Sequence, residues 1–246
     1  MKSVEDLKVA HDALQGDLPE GYMRFADDVV IGHTPESKYG FEFFRWRSPQ
    51  MVAEMDCFIE HARGKRRFFD IGACHGVFSL VYGAIKPAGM AFSFEPHAKS
   101  YQELKLNSFL CGSIIPLNFA LSEKTGHINM SEEWDMHLTA SDTGESVECY
   151  AGDEFGLATR PDLLKIDVEG HEAKVLRGLA ETIKDVHPTI FLEIHPERIQ
   201  KEGESVIQML HDLKELSYQP IDTLTNAPID WAELAARTEE SRIVLT

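Results

Sequence analysis

From Arg66 towards the C-terminus, short apolar runs alternate with segments of helical character, and this alternation constrains the fold more than any other feature. The apolar runs are RRFFDIG, MAFSFEP, SIIPLNFAL, DLLKIDV and TIFLEIHP. Alternating β and α elements favour a mainly parallel sheet with helices on both faces. We therefore predict an α/β fold with a doubly wound sheet, closed by strands in SYQPIDTL and SRIVLT.

Residues 122–150 interrupt this alternation. They contain Gly126 and Gly144 together with the short β-like pieces HINM and SVECY, and they predict a β-hairpin insertion. Long irregular segments in compact domains tend to be functional. We expect a lid over a small ligand, held by Trp134, Met136 and His137.

The first 48 residues stand apart from the alternating pattern. A short N-terminal helix is predicted from side chains that recur at helical spacing, namely Val4, Leu7, His11 and Leu14. Ser48 and Pro49 suit the start of the next helix, with serine as the cap and proline in the first turn. We divide the chain into an N-terminal helix with an irregular segment (1–48) and a main domain (49–246).

Charge and cysteine content narrow the classes of partner. The 41 acidic residues outnumber the 24 basic ones, for a net charge of −17. Nucleic acids and anionic membranes would be repelled on average, so we predict neither as a partner. None of the four cysteines forms a C-x-x-C pair, and the N-terminus has no apolar secretion signal. These features predict a cytoplasmic protein.

The segment Phe68–Gly76, FFDIGACHG, reads as a strand, a Gly-x-x-x-Gly turn and the start of a helix. In open α/β sheets, ligands bind beyond the carboxyl ends of the strands. Gly72 would allow close approach of a ligand and Gly76 a sharp turn. The G-x-G-x-x-G spacing of dinucleotide sites is missing because position 74 is Cys74. Asp70 suits a cationic ligand instead, such as the sulfonium and amino groups of S-adenosylmethionine.

Acidic residues also follow the later strands. Glu95 ends the second strand, where a carboxylate can accept both ribose hydroxyls of an adenosine. Asp167 ends the fourth strand, and Glu193 and His195 end the fifth. Glu169 and Glu172, which follow Asp167, could simply complement a helix N-terminus.

These segments together resemble the FkbM family of methyltransferases from about Phe68 to Pro196. The resemblance is carried by FDIGACHGVFSL, FEP, LNFALSEKTG, DLLKIDVEGHEAKVLRGL and FLEIHP. It implies a Rossmann-like, mainly parallel seven-stranded sheet and S-adenosylmethionine as cofactor. It also implies transfer to oxygen, here on a small molecule or glycan.

Carried over to this sequence, the resemblance places four residues in the cofactor loop: Asp70, Gly72, Ala73 and Gly76. His75 stands where the family commonly has asparagine. It would contact the cofactor through an imidazole in place of an amide. Glu95 would bind the ribose. Asn118 and Ala120 would lie near the adenine, although Asn118 could equally brace a turn.

For catalysis we expect Asp167, Glu193 and His195 to act at the strand ends. An alcohol needs a base, and His195 has the most suitable intrinsic pKa. Alternatively, Asp167 and Glu193 would hold Mg²⁺; we favour the metal-free version. Two other function classes remain open, an NAD(P)-dependent oxidoreductase and a non-catalytic nucleoside-binding module. The missing G-x-G-x-x-G and the acid at Asp70 count against the oxidoreductase, and intact Asp70, Gly72, Gly76 and Glu95 disfavour the non-catalytic module.

Overall fold

A computed structural model describes residues 2–134, 137–140 and 144–246, with side chains described outside 131–143. The strands are β1 (Tyr22–Ala26), β2 (Val29–Gly32), β3 (Arg67–Ile71), β4 (Met90–Phe94), β5 (Ile114–Leu117), β6 (Ala120–Ser122), β7 (Gly126–Trp134), β8 (His137–Ala140), β9 (Glu145–Ala151), β10 (Leu163–Ile166), β11 (Thr189–Ile194), β12 (Pro220–Asp222), β13 (Ala227–Pro228) and β14 (Ser241–Leu245).

The helices lie between these strands. They are α1 (Val4–Gln15), α2 (Lys38–Glu42), a π-helical segment (Phe43–Arg47), α3 (Pro49–Ala62), α4 (Val77–Ile85), α5 (Ala98–Ser108), α6 (Gly152–Thr159), α7 (Glu172–Gly178), α8 (Ala180–Val186), α9 (Pro196–Lys201), α10 (Val206–Glu215) and α11 (Trp231–Ala235). The predicted first helix is confirmed, and so is the helix start at Ser48, whose hydroxyl accepts the Met51 N–H.

The main sheet has the order β13-β12-β14-β11-β10-β3-β4-β5. Neighbours from β5 to β11 are parallel, whereas β14 is antiparallel to both β11 and β12. This confirms the doubly wound, mainly parallel sheet. The predicted number of seven strands is wrong by one, because a two-residue strand, β13, adds an eighth at the edge.

The central strands are buried on both faces, as parallel strands covered by helices must be. Every residue of β10 and β11 is buried. Their charged members, Lys165 and Glu193, are therefore enclosed together with the apolar ones. Polar groups buried in this way need partners, and those partners are part of the site described below.

The run SIIPLNFAL, predicted as one strand, is two strands in different sheets. β5 belongs to the main sheet, while β6 pairs with β9 in a four-stranded sheet of order β6-β9-β7-β8. This second sheet is the predicted insertion at 122–150, and β7–β8 and β7–β9 are antiparallel pairs within it. Met136 and the side chains of Trp134 and His137 lie outside the described part of the chain.

The N-terminal segment packs on one face of the main sheet. β1 and β2 form a hairpin, and its side chains Phe25 and Ile31 join the same hydrophobic cluster as Phe58, Phe68 and Phe78. Within the described ranges, the helices are all too short or too polar to cross a membrane.

Candidate active site

A cleft of about 660 Å³ opens at the carboxyl ends of β3, β4 and β10, and β6 and β7 close its far side. This is the edge where ligands bind in open α/β sheets. Four of the predicted residues line it: Gly72, Glu95, Ala120 and Asp167. The fold thus brings together predicted residues from strand ends that are distant in sequence.

Gly72 forms the floor of the cleft, where the chain leaves β3. Its φ is +82°, and a Cβ there would lie 1.8 Å from the backbone oxygen of Asp167. The Gly72 N–H donates to the Phe94 carbonyl at 3.0 Å, and the Asp167 N–H donates to the Ile71 carbonyl at 3.0 Å. Only glycine fits at this position, because the backbones of two strand ends meet there.

Glu95 is held in place by backbone groups. Its Oε2 accepts the Cys74 N–H at 2.8 Å and its Oε1 accepts the His97 N–H at 2.8 Å. The carboxylate is buried, yet it lines the cleft. A carboxylate is purely an acceptor, so at the wall of the cleft Glu95 offers ligand hydroxyls an acceptor group.

Asp70 lies behind the cleft and not on its wall, which differs from the expected contact with a cationic ligand. Its Oδ2 accepts the Ser79 N–H at 3.2 Å and the Ser79 hydroxyl at 2.6 Å. Burial raises the pKa of Asp70 to about 6, against the lowering effect of the Ser79 hydrogen bonds. The carboxylate therefore ties β3 to the first turns of α4.

The other members of the predicted loop shape the turn without lining the cleft. Gly76 has a φ of +85° and precedes α4, and a Cβ there would lie 2.6 Å from Leu104 Cδ1. Ala73 is buried. His75 turns towards the N-terminal segment, where its Nδ1 lies 3.1 Å from the Ser37 hydroxyl. That contact gives a structural reason for a histidine at this position.

Asn118 supports the wall of the cleft from outside. Its Nδ2 donates to the Glu95 carbonyl at 2.8 Å and to the Pro96 carbonyl at 3.2 Å. This geometry favours the turn-bracing alternative over direct contact with adenine. Ala120 does line the cleft, as expected.

The three predicted catalytic residues meet beside the cleft. Asp167, Glu193 and His195 each offer a ligand atom within 4.8 Å of the others. The Asp167 side chain is 29% exposed, while Glu193 and His195 are 5% and 7% exposed. Asp167 therefore presents the cluster to the cleft, and the other two stand behind it.

Glu172 orients His195, although the sequence suggested only that Glu172 complements a helix N-terminus. His195 Nδ1 lies 2.8 Å from Oε1 of the fully buried Glu172, which also accepts the Gly170 N–H at 3.0 Å. A carboxylate can only accept, so Nδ1 donates and Nε2 is directed to the cluster. Burial opposes protonation, but the Glu172 hydrogen bond and the Asp167 charge raise the pKa of His195 above its usual value.

Fixed cations balance the acids of the cluster. Lys165 Nζ lies 3.0 Å from Glu54 Oε1, 3.4 Å from Glu193 Oε2 and 3.6 Å from Asp167 Oδ2. Arg242 pairs with Glu54, Glu193 and Glu240. Burial raises the pKa of Asp167, but the Lys165 and His195 charges outweigh it and leave that pKa well below normal. Burial and the Asp167 charge raise the pKa of Glu193.

Lys165 and Arg242 also affect whether the cluster could bind a metal ion. The three ligand atoms are close enough to share one ion. A divalent cation would, however, enter a site where Lys165 and Arg242 already neutralise the carboxylates, and it would be repelled by both. The donor set therefore fits a metal poorly and supports the metal-free version.

Sequence reasoning missed most of the apolar lining. Phe94, Leu121, Ile128 and Met130 line the cleft next to Cys74, and Val168, Glu169 and His171 complete it after β10. Ile128 and Met130 come from β7 of the insertion. The signal that could have found them is the alternation in HINM, whose inward positions face the strand ends.

Comparison with known proteins gives the family. Residues 70–220 match the Methyltransferase FkbM domain. The hexuronic acid methyltransferase AglP of Haloferax volcanii is 27% identical over 161 residues, which are 61% of this chain and 66% of that protein. The match therefore spans just under two thirds of that relative's length.

Solved structures of similar shape are more distant. The methyltransferase FkbM from Methylobacillus flagellatus KT is 13% identical, with a TM-score of 0.46 over 80% of this chain and 54% of that one. Fibrillarin of Aeropyrum pernix with bound S-adenosyl-L-methionine is 14% identical, with a TM-score of 0.43 over 74% and 66%. By the domain match over residues 70–220, this chain belongs to the FkbM family of S-adenosylmethionine-dependent methyltransferases.

Proposed function

We propose that the protein transfers a methyl group from S-adenosylmethionine to a hydroxyl oxygen of a sugar. Family membership supports methyl transfer, and the hexuronic acid methyltransferase AglP, by its name, acts on a sugar acid. The observation that carries the proposal is the cluster of Asp167, Glu193 and His195 at the edge of the cleft. A hydroxyl is a poor nucleophile until its proton leaves, and this cluster can accept one.

The lining of the cleft suits the chemistry of the cofactor. Glu95 would accept the ribose hydroxyls, and an apolar wall that includes Phe94, Leu121 and Ile128 would enclose the adenine. Gly72 lines the cleft with its backbone alone, packed against the Asp167 backbone. When bound, S-adenosylmethionine supplies a methyl group on a sulfonium, ready for in-line displacement.

The protein's part in the reaction is alignment and proton removal. Because Glu172 holds the Nδ1 proton of His195, the Nε2 lone pair of the neutral imidazole is available on the cluster side. The His195 Nε2 atom lies 3.4 Å from Glu169 Oε2 and 3.7 Å from Glu193 Oε1. We assign His195 as the base, Asp167 as the residue that orients the acceptor at the cleft, and Glu193 as the support behind them.

The pKa shift sets the sign of the pH dependence. The base must be neutral to accept a proton, and the pKa of His195 lies above its usual value. Activity should therefore rise with pH through that raised pKa. If Asp167 were the base, the rise would occur far lower, since its pKa is held well below normal. The acid limb of the rate profile distinguishes the two residues.

The experiment uses S-adenosylmethionine with a ¹³C-labelled methyl group and a panel of methyl glycosides, and NMR of the product locates the label. We expect an O-methyl sugar from the wild type. His195→Ala should lower kcat by about 10²–10⁴-fold, the usual contribution of a general base, with unchanged affinity for S-adenosylhomocysteine. His211→Ala is the matched control, because the His211 side chain is exposed on α10. Label on nitrogen or carbon, or an active His195→Ala, would contradict the proposal.

Three further expectations from the sequence belong to the proposal. The net charge of −17 supports a small-molecule or glycan acceptor, with no nucleic-acid or membrane partner. The cysteine pattern supports a cytoplasmic location. Division of the chain at residue 48 is also a prediction. Mobility shifts with RNA and co-sedimentation with anionic vesicles test the first point, and binding of either would contradict it.

A further inference from the structure

Glu169 lies on the wall of the cofactor cleft, in a strained turn that follows β10. Its φ is +56°, a left-handed value that is uncommon for side chains other than Asn and Asp. The turn is packed against α9, because a Cβ on the next residue, Gly170, would lie 2.7 Å from Arg198 Cβ. Backbone strain of this kind costs free energy, and it concentrates at functional sites. The position of Glu169 is thus fixed by the backbone as well as by its side-chain contacts.

The Glu169 carboxylate lies between an arginine and the proposed base. Its Oε2 atom is 2.7 Å from Arg198 Nη1 and 3.4 Å from His195 Nε2. The Glu169 side chain is 17% exposed, whereas that of His195 is 7% exposed. Arg198 therefore anchors a carboxylate that stays accessible from the cleft, beside the ring nitrogen that would take the proton.

Two carboxylates of the cleft wall, those of Asp167 and Glu169, thus lie next to the same imidazole. A ligand atom of Asp167 is within 4.8 Å of one of His195, and Glu169 approaches His195 to 3.4 Å. An acceptor bound here shares the cleft with the cofactor, so its oxygen can contact the sulfonium methyl group directly, as in-line displacement requires. The proposed mechanism uses Asp167 to orient the attacked hydroxyl, which leaves the Glu169 carboxylate for a second group of the acceptor.

The chemistry of Glu169 indicates what this second group is. A carboxylate only accepts hydrogen bonds, so it suits a hydroxyl, and the bond is of the stronger, charge-assisted kind. A ligand carboxylate at the same place would meet the negative charges of both Asp167 and Glu169. Because both carboxylates lie next to His195, the second hydroxyl must be close to the attacked one. Hydroxyls on neighbouring ring carbons meet this condition.

We propose that Glu169 is a specificity-determining residue that binds the hydroxyl beside the one that is methylated, so that the acceptor is a vicinal diol of a sugar ring. The inference rests on the proposed function and deepens it by naming the class of acceptor. The attacked oxygen loses its proton to His195 Nε2 as it takes the methyl group, and the sulfonium leaves as a neutral sulfide. The neighbouring hydroxyl keeps its proton and donates it in a hydrogen bond to the Glu169 carboxylate.

The test first locates the ¹³C label on the methyl glycoside that the wild type methylates best. Calorimetric titrations with saturating S-adenosylhomocysteine then compare that glycoside with two kinds of deoxy derivative, which lack a hydroxyl either beside the methylated one or farther away on the ring. We expect the loss of one neighbouring hydroxyl to weaken binding by about tenfold to a hundredfold, the usual contribution of a hydrogen bond to a charged group. Loss of a distant hydroxyl should have a smaller effect.

Two variants assign this effect to Glu169. Glu169→Gly removes the carboxylate at a position where the left-handed backbone suits glycine, so the neighbouring hydroxyl should no longer affect affinity. Glu169→Gln keeps the size of the side chain but not its charge, and it should reduce the same effect. Glu204→Gln is the matched control and should keep the wild-type pattern, because Glu204 also pairs with an arginine, Arg177 at 2.6 Å, and is 20% exposed outside the cleft.

The outcomes separate the inference from the proposed function. If the wild type binds both kinds of deoxy derivative alike, or if both Glu169 variants keep the wild-type difference, the inference is overturned while the proposed function stands. If no glycoside is methylated on oxygen, the proposed function fails and the inference fails with it.

Discussion

Replacing Glu95 by glutamine should weaken cofactor binding strongly while leaving the protein folded. Both carboxylate oxygens already accept a backbone N–H, from Cys74 and from His97, at 2.8 Å each. Glutamine keeps one acceptor oxygen and turns the other into a donor. One of these two N–H groups therefore faces an NH₂ group, and one ligand hydroxyl loses its charged acceptor.

The magnitudes follow from these bonds. A buried donor left without an acceptor costs about 1–3 kcal/mol of stability, against a total of about 5–15 kcal/mol for a typical domain. A hydrogen bond to a charged group contributes about 1.5–3 kcal/mol, which is roughly tenfold to a hundredfold in affinity. Glu95→Ala would remove both acceptors and cost about twice as much stability, so it mixes unfolding with loss of binding.

The assay is calorimetric titration with S-adenosylhomocysteine, together with urea unfolding of the same samples. Asp153→Asn is the matched control, because Asp153 also accepts two backbone N–H groups, from Glu181 at 3.1 Å and Thr182 at 2.8 Å, but lies outside the cleft. We expect Asp153→Asn to lose less stability, because the Glu181 N–H that it accepts is exposed, and only Glu95→Gln to lose affinity. Equal affinity in Glu95→Gln and the wild type would refute the assignment of Glu95 to the ribose.

Three other outcomes follow from the site. Glu172→Gln keeps the hydrogen bond to His195 Nδ1 but removes its charge, so the acid limb of kcat/KM should move to lower pH; an unmoved limb would count against His195 as the base. Gly72→Ala should lower the free energy of unfolding by more than about 2 kcal/mol in a urea titration, because the strain of a left-handed backbone adds to the overlap with Asp167. Gly64→Ala, which has open space around its Cβ position, should be tolerated in the same titration. Dialysis against EDTA should leave the methylation rate unchanged; a loss restored by Mg²⁺ would favour the metal alternative.

The sequence predicted those parts of the fold that depend on local pattern. The strand–turn–helix at Phe68–Gly76 and the acids at the strand ends were predictable because parallel strands bring their carboxyl ends to one edge. Residues 22–48 stayed ambiguous because their aromatics suit several local structures. In the folded chain they form a hairpin and a π-helical segment, with Phe25, Ile31 and Phe44 packed in the cluster of Phe58 and Phe78.

The roles of individual side chains were harder to predict, because they depend on partners remote in sequence. Asp70 turns away from the cleft to accept the Ser79 hydrogen bonds, and nothing in the glycine loop itself indicates this. Glu172 contacts His195, and Glu240 approaches it from the segment just before β14. Local spacing cannot reveal such pairs, since the tertiary fold creates them.

The most direct test of the central claim is calorimetric titration of the wild type with S-adenosylhomocysteine and, separately, with NAD⁺. The cleft has an apolar wall, a carboxylate at Glu95 and no G-x-G-x-x-G loop for a pyrophosphate. The account predicts saturable one-to-one binding of S-adenosylhomocysteine and no heat of binding with NAD⁺. Binding of NAD⁺ in preference to S-adenosylhomocysteine would contradict it.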